Sequence, residues 1–242
     1  MRFDTHPYGV VAGFYDELAA LYSLGRIPAT KRLQRDWIAR GDRVLYAGVG
    51  RGEDALEALH RGARVTAVDL APRMLERLRR RLGREGLEAT LLVGDVARVD
   101  LEGCFDVVVA NYFLNLFDQA HAEAMLARLV ERVAPGGALF IADFAPARGG
   151  RLGRWLTALH YRPVNAIAWA LGLCAWHPIF DHRAMLGRAG LVIEAEVRLS
   201  LGCGPDPAYV SIRARRPRQG SEEGGGAGVA CAGASPSARP SS

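Results

Sequence analysis

The sequence predicts an α/β domain built on an open sheet of seven strands, most of them parallel, with helices on both faces. Between Arg40 and Ala145, short apolar runs alternate with longer amphipathic runs, which is the pattern of repeated strand and helix units around a parallel sheet. Farther along, Leu191–Leu199 and Ala208–Ala214 alternate apolar and polar residues, and no run of helical length separates them. These two runs are expected to pair as an antiparallel edge of the same sheet.

Five strands and three helices account for the first part of the domain. Apolar runs bounded by turn residues predict the strands, and apolar residues spaced three and four apart predict the helices. The predicted strands are Arg43–Ala47, Arg64–Asp69, Ala89–Val93, Phe105–Ala110 and Ala138–Asp143, and the predicted helices are Asp54–Arg61, Pro72–Arg84 and Gln119–Val133.

Helical segments precede and interrupt this pattern. Phe14–Leu24 and Ala29–Ile38 each carry an apolar helical face, so residues 1–40 are expected to form a helical cap. After the fifth strand, Arg151–Trp176 has a helical period and many aromatic residues, which predicts a helical insertion over residues 145–190. The insertion is expected to line a pocket or to touch a membrane surface, since its apolar part is shorter than the ~20 residues that span a bilayer.

The two ends of the chain differ in composition from the domain between them. Residues 1–216 are predicted to form one domain, and residues 217–242, rich in Gly, Ser, Ala and Pro, a disordered tail. The N-terminus has no apolar run behind a basic head, so we expect a cytoplasmic protein. The four cysteines include no CxxC pair, and no metal site is predicted.

The net charge of +5 comes largely from arginine, much of it within Arg73–Arg84. This segment has two interpretations, a nucleic-acid surface or the solvated face of a helix. No aromatic residue that would stack on a base lies among the arginines, while apolar residues recur at helical spacing. The pattern favours the solvated face and argues against a nucleic-acid partner.

Three glycines directly follow the first predicted strand and precede a helix. In the loop Ala47–Gly52 they allow a sharp turn and a close backbone approach to a ligand at a helix N-terminus. A dinucleotide fingerprint would place its last glycine at position 53, where this chain has Glu53, and a carboxylate beside a pyrophosphate is unfavourable. The loop is therefore expected to hold a nucleoside-bearing cofactor that has no phosphate at this turn.

Two carboxylates end the next two predicted strands. Asp69 lies where a carboxylate accepts hydrogen bonds from both ribose hydroxyls, 21 residues after Gly48. Asp95 follows the third strand on the same rim, where it is placed to accept a hydrogen bond from an adenine amine. The alternative for Asp95 is an ordinary aspartate of a turn or helix cap.

With these residues the chain resembles the class I S-adenosylmethionine-dependent methyltransferases. The resemblance runs from about Arg43 to Asp143 and is carried by the glycine loop Ala47–Gly52, Val65–Asp69, Gly94-Asp95, Phe105–Val108 and the turn Ala134–Leu139. It implies a Rossmann-like sheet whose last strand is inserted antiparallel, and S-adenosylmethionine as the cofactor. In that family the glycine loop passes beside the methionine part, and the acids matching Asp69 and Asp95 lie at the ribose and the adenine.

The residues expected to contact the cofactor lie at the ends of the first four strands. They are Tyr46, Ala47, Gly48, Gly50, Gly52, Asp69, Leu70, Met74, Asp95, Val96, Asn111 and Tyr112.

One of these positions departs from the family pattern. The family usually has Asp or Glu two residues before the first loop glycine, where this chain has Tyr46, which supplies no charge at neutral pH. Either another acid serves the ammonium group of the cofactor, or the orientation of the cofactor is unusual. Relatives that resemble the rhodoquinone-forming enzymes also lack this acid and use the cofactor without donating its methyl group.

The acceptor is expected to be a small or lipid-like molecule bound under the cap and the aromatic insertion. Candidate catalytic groups there are His160, His177 and Tyr22. The segment Asn111-Tyr112-Phe113-Leu114 lacks the two prolines found in relatives that methylate nucleobase or glutamine amides. The main prediction is a methyltransferase, and the alternatives are a non-methylating enzyme with the same cofactor, an RNA methyltransferase and a non-catalytic cofactor-binding protein.

Overall fold

The computed structural model describes residues 23–147, 150–170, 172, 174–200 and 207–218. Its strands are β1 Arg43–Ala47, β2 Arg64–Asp69, β3 Thr90–Val93, β4 Phe105–Val109, β5 Val133–Phe144, β6 Val192–Ser200 and β7 Pro207–Arg215. Its α-helices are α1 Arg26–Arg32, α2 Glu53–His60, α3 Pro72–Glu85, α4 Gln119–Arg132, α5 Arg151–Ala170 and α6 His182–Arg188. Most of Phe14–Leu24 and nearly all of the predicted tail lie outside the described residues.

All seven strands form one sheet in the order β3-β2-β1-β4-β5-β7-β6. Strands β1 to β5 pair in parallel, and β7 lies antiparallel between β5 and β6. The predicted sheet with its antiparallel last strand is confirmed. Strands β2 and β3 lie on one side of β1, and β4 and β5 lie on the other, so the strand order reverses between β1 and β4. Ligands of open α/β sheets bind beyond the carboxyl ends of the strands at such a point.

The core lies on both faces of the sheet because successive strand residues point to opposite sides. Val44 and Tyr46 of β1 pack with the apolar faces of α2 and α3, whereas Leu45 and Ala47 pack with α4. In α3, the apolar positions Met74, Leu75, Leu78 and Leu82 are all buried. The arginines of this helix therefore occupy its solvent side, as the sequence pattern favoured.

Before the sheet, the predicted helix Ala29–Ile38 is wrong in its extent. The helix α1 begins earlier and ends at Arg32, and a separate 3₁₀ turn covers Arg35–Trp37. The ring of Trp37 packs edge-on against Phe140 at a centroid distance of 5.4 Å. If α1 continued as an α-helix to Ile38, the side chain of Trp37 would point away from Phe140. The packing of Trp37 on the sheet therefore favours the 3₁₀ turn over the predicted helix.

Two further differences concern β5 and the segment after it. β5 begins at Val133, which pairs with Phe105, and its register shifts before Val107 pairs with Ala138. The predicted turn at Ala134–Leu139 is thus an irregularity within a longer strand. The short helix α6 was not predicted, although the side chain of Asp181 accepts a hydrogen bond from Ala184 N at its start.

The helical pattern predicted at Arg151–Trp176 corresponds to α5, which ends at Ala170, and α6 lies farther along in the predicted insertion 145–190. Among the described helices, none combines the length and the apolarity that crossing a bilayer requires.

Candidate functional site

The loop between β1 and α2 is shaped by backbone conformations that favour glycine. Gly48, Gly50 and Gly52 have φ of 69°, 53° and 71°. A Cβ on Gly48 would lie 2.7 Å from Phe113 Cδ2, and one on Gly52 would lie 2.8 Å from Leu78 Cδ1. The loop is therefore pressed against the end of β4 on one side and against α3 on the other, which fixes its path.

The carboxylate of Asp69 at the end of β2 holds this loop in place. Its Oδ2 accepts a hydrogen bond from Gly50 N at 3.0 Å, and its Oδ1 accepts one from Ala71 N at 2.8 Å. Burial raises the pKa of the Asp69 carboxyl, and the two backbone hydrogen bonds oppose that shift. Each oxygen keeps a second acceptor position, so the carboxylate can also bind hydroxyl groups of a ligand.

The rim beyond β2 and β3 combines a second carboxylate with apolar side chains. Asp95 Oδ1 accepts a hydrogen bond from Ala97 N at 2.9 Å, which is the turn role considered as its alternative. Leu70 is 52% exposed at the carboxyl end of β2, whereas Met74 and Val96 are buried. The rim thus offers an exposed apolar side chain and an acceptor for a flat, partly polar group.

Tyr46 lies beneath the loop and faces the core rather than a ligand. Its hydroxyl donates a hydrogen bond to the main-chain oxygen of Asp54 at 2.9 Å. Burial first, and then the carboxylates of Asp54 and Glu57, raise the pKa of Tyr46 well above its usual value. The position that usually carries an acid is therefore occupied by a neutral side chain that supports the start of α2.

A polar cluster connects the ends of β1 and β4 with the segment before the sheet. The amides of Asn111 and Gln34 exchange two hydrogen bonds, of 2.9 and 2.8 Å. Asn111 Nδ2 also donates to Asp54 Oδ2 at 3.0 Å, and Asn111 Oδ1 accepts from Ala142 N at 2.8 Å. The sequence indicated Asn111 but missed Asp54 and Gln34.

Tyr112 continues this cluster in a strained conformation. Its φ is 51°, in the left-handed region that side chains rarely adopt. Its hydroxyl and that of Thr30 lie 2.8 Å apart, and its ring packs edge-on against Phe144. Burial raises the pKa of Tyr112 well above its usual value despite the hydrogen bond with Thr30. Strain at a strand end of this kind is typical of functional sites.

Of the three candidate catalytic groups, the structure places only the side chain of His177. Tyr22 and the side chain of His160 lie outside what the structure describes. His177 is buried, with Nε2 at 2.6 Å from Asn115 O and Nδ1 at 2.7 Å from Pro178 O. Both ring nitrogens face main-chain oxygens, so whichever nitrogen carries the proton donates to one of them, and this arrangement favours a structural role over proton transfer.

A buried carboxylate and imidazole pair lies nearby, at the end of β5. His182 Nε2 lies 3.1 Å from Asp143 Oδ2, and Asp143 Oδ1 accepts hydrogen bonds from Asn115 Nδ2 and Phe144 N. The side chains of both His182 and Asp143 are almost completely buried. Within the described ranges, no three His, Cys, Asp or Glu residues are arranged to hold a metal ion.

Comparisons with known proteins show which family the chain belongs to. The model of a family described as a methyltransferase domain matches residues 44–137. The demethylmenaquinone methyltransferase of Thermus thermophilus is 34% identical over 152 residues, which are 60% of this chain and 68% of that protein. A carboxy-S-adenosyl-L-methionine synthase of Salmonella paratyphi C is 28% identical over 104 residues, 42% of each protein.

A solved structure extends the likeness beyond the matched segment. The 1,6-didemethyltoxoflavin-N1-methyltransferase of Burkholderia thailandensis, solved with 1,6-didemethyltoxoflavin and S-adenosylhomocysteine, is similar with a TM-score of 0.57 at 21% identity. The alignment covers 90% of this chain and 92% of that one. This likeness shows a shared fold that includes the strands and helices after residue 137.

Proposed function

Because the chain belongs to the class I S-adenosylmethionine-dependent methyltransferases and uses their cofactor, we propose that it transfers the methyl group to a small or lipid-like acceptor. The observation that carries the proposal is the glycine loop at the end of β1, which Asp69 Oδ2 holds through Gly50 N while Asp69 Oδ1 bonds Ala71 N. This is the point of an open α/β sheet where a nucleoside ligand binds.

The cofactor is proposed to lie across the carboxyl ends of β3, β2, β1 and β4. Asp69 would accept hydrogen bonds from the ribose hydroxyls, and Asp95 from the adenine amine. The remaining proposed contacts are the main chain of Ala47, Gly48, Gly50 and Gly52 and the side chains of Leu70, Met74, Val96, Asn111 and Tyr112. Support comes from the position of these residues on one rim of the sheet.

The acceptor is proposed to bind between the ends of β4 and β5 and the helices α5 and α6, a region called the acceptor side below. Phe144, Tyr161 and Tyr209 form an aromatic cluster there, and Tyr112 packs against it. Aromatic residues beside the proposed site favour an apolar or aromatic acceptor. The relative from Thermus thermophilus, by its name, acts on demethylmenaquinone, a molecule of this kind.

The chemistry proposed here depends on positioning. When bound, the cofactor would supply a methyl group on a cationic sulfur, and the residues of the site would hold the acceptor atom in line with that group. Holding the two reactants in line accounts for up to about 7–11 kcal/mol of the barrier in favourable cases. The engaged nitrogens of His177 fit a reaction in which alignment, rather than a base at that residue, provides the acceleration.

A direct test uses the purified chain with S-adenosylmethionine labelled on its methyl group. We expect label to appear in a lipid and quinone extract, with one S-adenosylhomocysteine released per methyl group transferred. Turnover of the cofactor without S-adenosylhomocysteine would instead indicate a non-methylating reaction, as the name of the Salmonella relative suggests for that protein. Loss of labelling after ribonuclease treatment would indicate an RNA substrate, and binding without any turnover a non-catalytic protein.

Peripheral contact with a membrane is proposed for one face of α5. Trp155 and Trp169 are 59% and 57% exposed, and Trp155, Arg162 and Trp169 recur every seven residues on one side of the helix. Exposed Trp together with Arg is typical of helices that lie in a membrane interface.

Vesicle sedimentation tests this contact. With vesicles that contain anionic lipid, we expect Trp155→Ala combined with Trp169→Ala to lower the bound fraction several-fold. Val93→Ala, at an exposed apolar residue of β3, should leave it unchanged. A wild-type protein that stays in the supernatant at low salt would contradict the proposal.

A further inference from the structure

We propose that Asp54, at the start of α2, binds the ammonium group of S-adenosylmethionine and replaces the acid that Tyr46 does not supply. The inference rests on the placement of the cofactor given above. It assigns a ligand-binding role to a residue outside the glycine loop.

Only one of the two oxygens of the Asp54 carboxylate accepts a hydrogen bond from the described residues. Its Oδ2 accepts a hydrogen bond from Asn111 Nδ2 at 3.0 Å. Its Oδ1 is buried and has no hydrogen-bond partner among the residues that the structure describes. A buried carboxylate oxygen without a donor is costly, and such groups in folded proteins are usually completed by a ligand, an ion or water.

The neighbours of Asp54 hold this carboxylate in place without satisfying it. The main-chain oxygen of Asp54 accepts the hydroxyl of Tyr46, which fixes the first turn of α2 from below. The nearest arginine in sequence, Arg51, pairs with the exposed Glu53 at 3.7 Å. No ion pair within the described residues includes Asp54, so none of their cations neutralises its carboxylate.

The rest of the polar cluster is already satisfied. Asn111 Oδ1 accepts hydrogen bonds from both Gln34 and Ala142 N, and Gln34 Oε1 accepts from Asn111. Among the described members of this cluster, Asp54 Oδ1 is therefore the buried acceptor that lacks a donor. An ammonium group carries three donors and a positive charge, and it matches a carboxylate oxygen better than a neutral donor does.

The order of the strands places the ammonium group on this side. The proposed nucleoside contacts, Asp95 and Asp69, follow β3 and β2, and the glycine loop follows β1 in the middle of the rim. A cofactor that crosses the rim from there carries its amino-acid part toward β4. Asn111, which follows β4, donates a hydrogen bond to the Asp54 carboxylate.

The test compares two ligands that differ in one group. S-adenosylhomocysteine carries the ammonium, and 4-(5′-deoxyadenosylthio)butanoate lacks it but keeps the carboxylate. By calorimetry, we expect the wild type to bind S-adenosylhomocysteine at least tenfold more tightly than the deamino ligand. Asp54→Asn should lower the affinity for S-adenosylhomocysteine by about 10-fold to 100-fold, in line with the loss of a charged hydrogen bond. The same substitution should lower the affinity for the deamino ligand by less than about twofold.

Glu53→Gln is the matched control, because Glu53 is the adjacent acid and is exposed. It should leave both affinities unchanged. Equal weakening of the two ligands by Asp54→Asn would overturn the inference, because it would show a purely structural role. Equal affinity of the wild type for both ligands would also overturn it, and that measurement does not depend on the folding of any variant. A wild type that binds neither ligand would contradict the proposed function itself.

Discussion

The cofactor side and the acceptor side of this molecule draw their contacts from different distances along the chain. On the cofactor side, Asp69 bonds the backbone of Ala71, 2 residues away, and of Gly50, 19 residues away. On the acceptor side, His182 meets Asp143 across 39 residues, and His177 meets Asn115 across 62. The contacts of Asp69 therefore lie within one strand–helix–strand unit, whereas those of Asp143 and His177 require distant parts of the chain to have come together.

The largest expected effect is on the acceptor side. Asp143→Ala would remove the buried acceptor of three donors, from His182, Asn115 and Phe144. We expect it to lower the free energy of unfolding by about 3–5 kcal/mol in urea titrations, since breaking a buried pair leaves its partners uncompensated.

Asp118→Ala is the comparison for that change. Asp118 caps α4 from an exposed position, and its loss should cost only about 1 kcal/mol. If the two substitutions cost the same, the buried pair would not be what stabilises the acceptor side.

The next effect is on the cofactor side. Gly48→Ala would bring a Cβ to within 2.7 Å of Phe113 at a φ of 69°, so the loop must move. We expect affinity for S-adenosylhomocysteine to fall more than 100-fold by calorimetry. Gly86→Ala has a similar φ of 66° with no atom within 4 Å, and it should affect stability by about 1–2 kcal/mol but not binding.

A smaller effect is expected from pH. Burial raises the pKa of Asp69, so in the folded protein this carboxyl holds its proton to a higher pH than in the unfolded chain. Its contribution to the free energy of unfolding is therefore largest at low pH and falls as pH rises through that window. Ribose hydroxyls bind the ionised form better, so affinity for S-adenosylhomocysteine should rise over the same window, at most tenfold per pH unit. If an Asp69→Asn variant shows the same rise of affinity with pH, the titrating group is not Asp69.

The smallest effect is expected at Tyr46. Tyr46→Phe removes one hydrogen bond to the main-chain oxygen of Asp54, which should cost about 1 kcal/mol of stability. Affinity for S-adenosylhomocysteine should fall only about twofold to fivefold, because α2 stays in place. A loss as large as that of Asp54→Asn would mean that the hydroxyl itself serves the cofactor.

Elements defined by adjacent residues could be predicted from the sequence, whereas elements that depend on distant contacts could not. β1 and β2 have the predicted bounds, since apolar strands that end in glycine or aspartate are defined by adjacent residues. The 3₁₀ turn before the sheet was missed because the packing of Trp37 against the sheet determines it. The helix α6 was missed because it is only seven residues long and begins at a capping aspartate rather than with a long apolar pattern. Asp54 was missed for a related reason. Its neighbour Asn111 lies 57 residues away, and nothing in the helical pattern around Asp54 marks the residue as different from Glu53.

The carboxamide of Asn111 joins segments that the sequence keeps far apart. It bonds Gln34, 77 residues earlier, together with Asp54 and the backbone of β5. A ligand that completes Asp54 would therefore stabilise the stretch around Gln34 as well, without contacting it. Opening of that stretch and release of the cofactor would then be a single cooperative event, and amide hydrogens of α1 would exchange with solvent more slowly when the cofactor is bound.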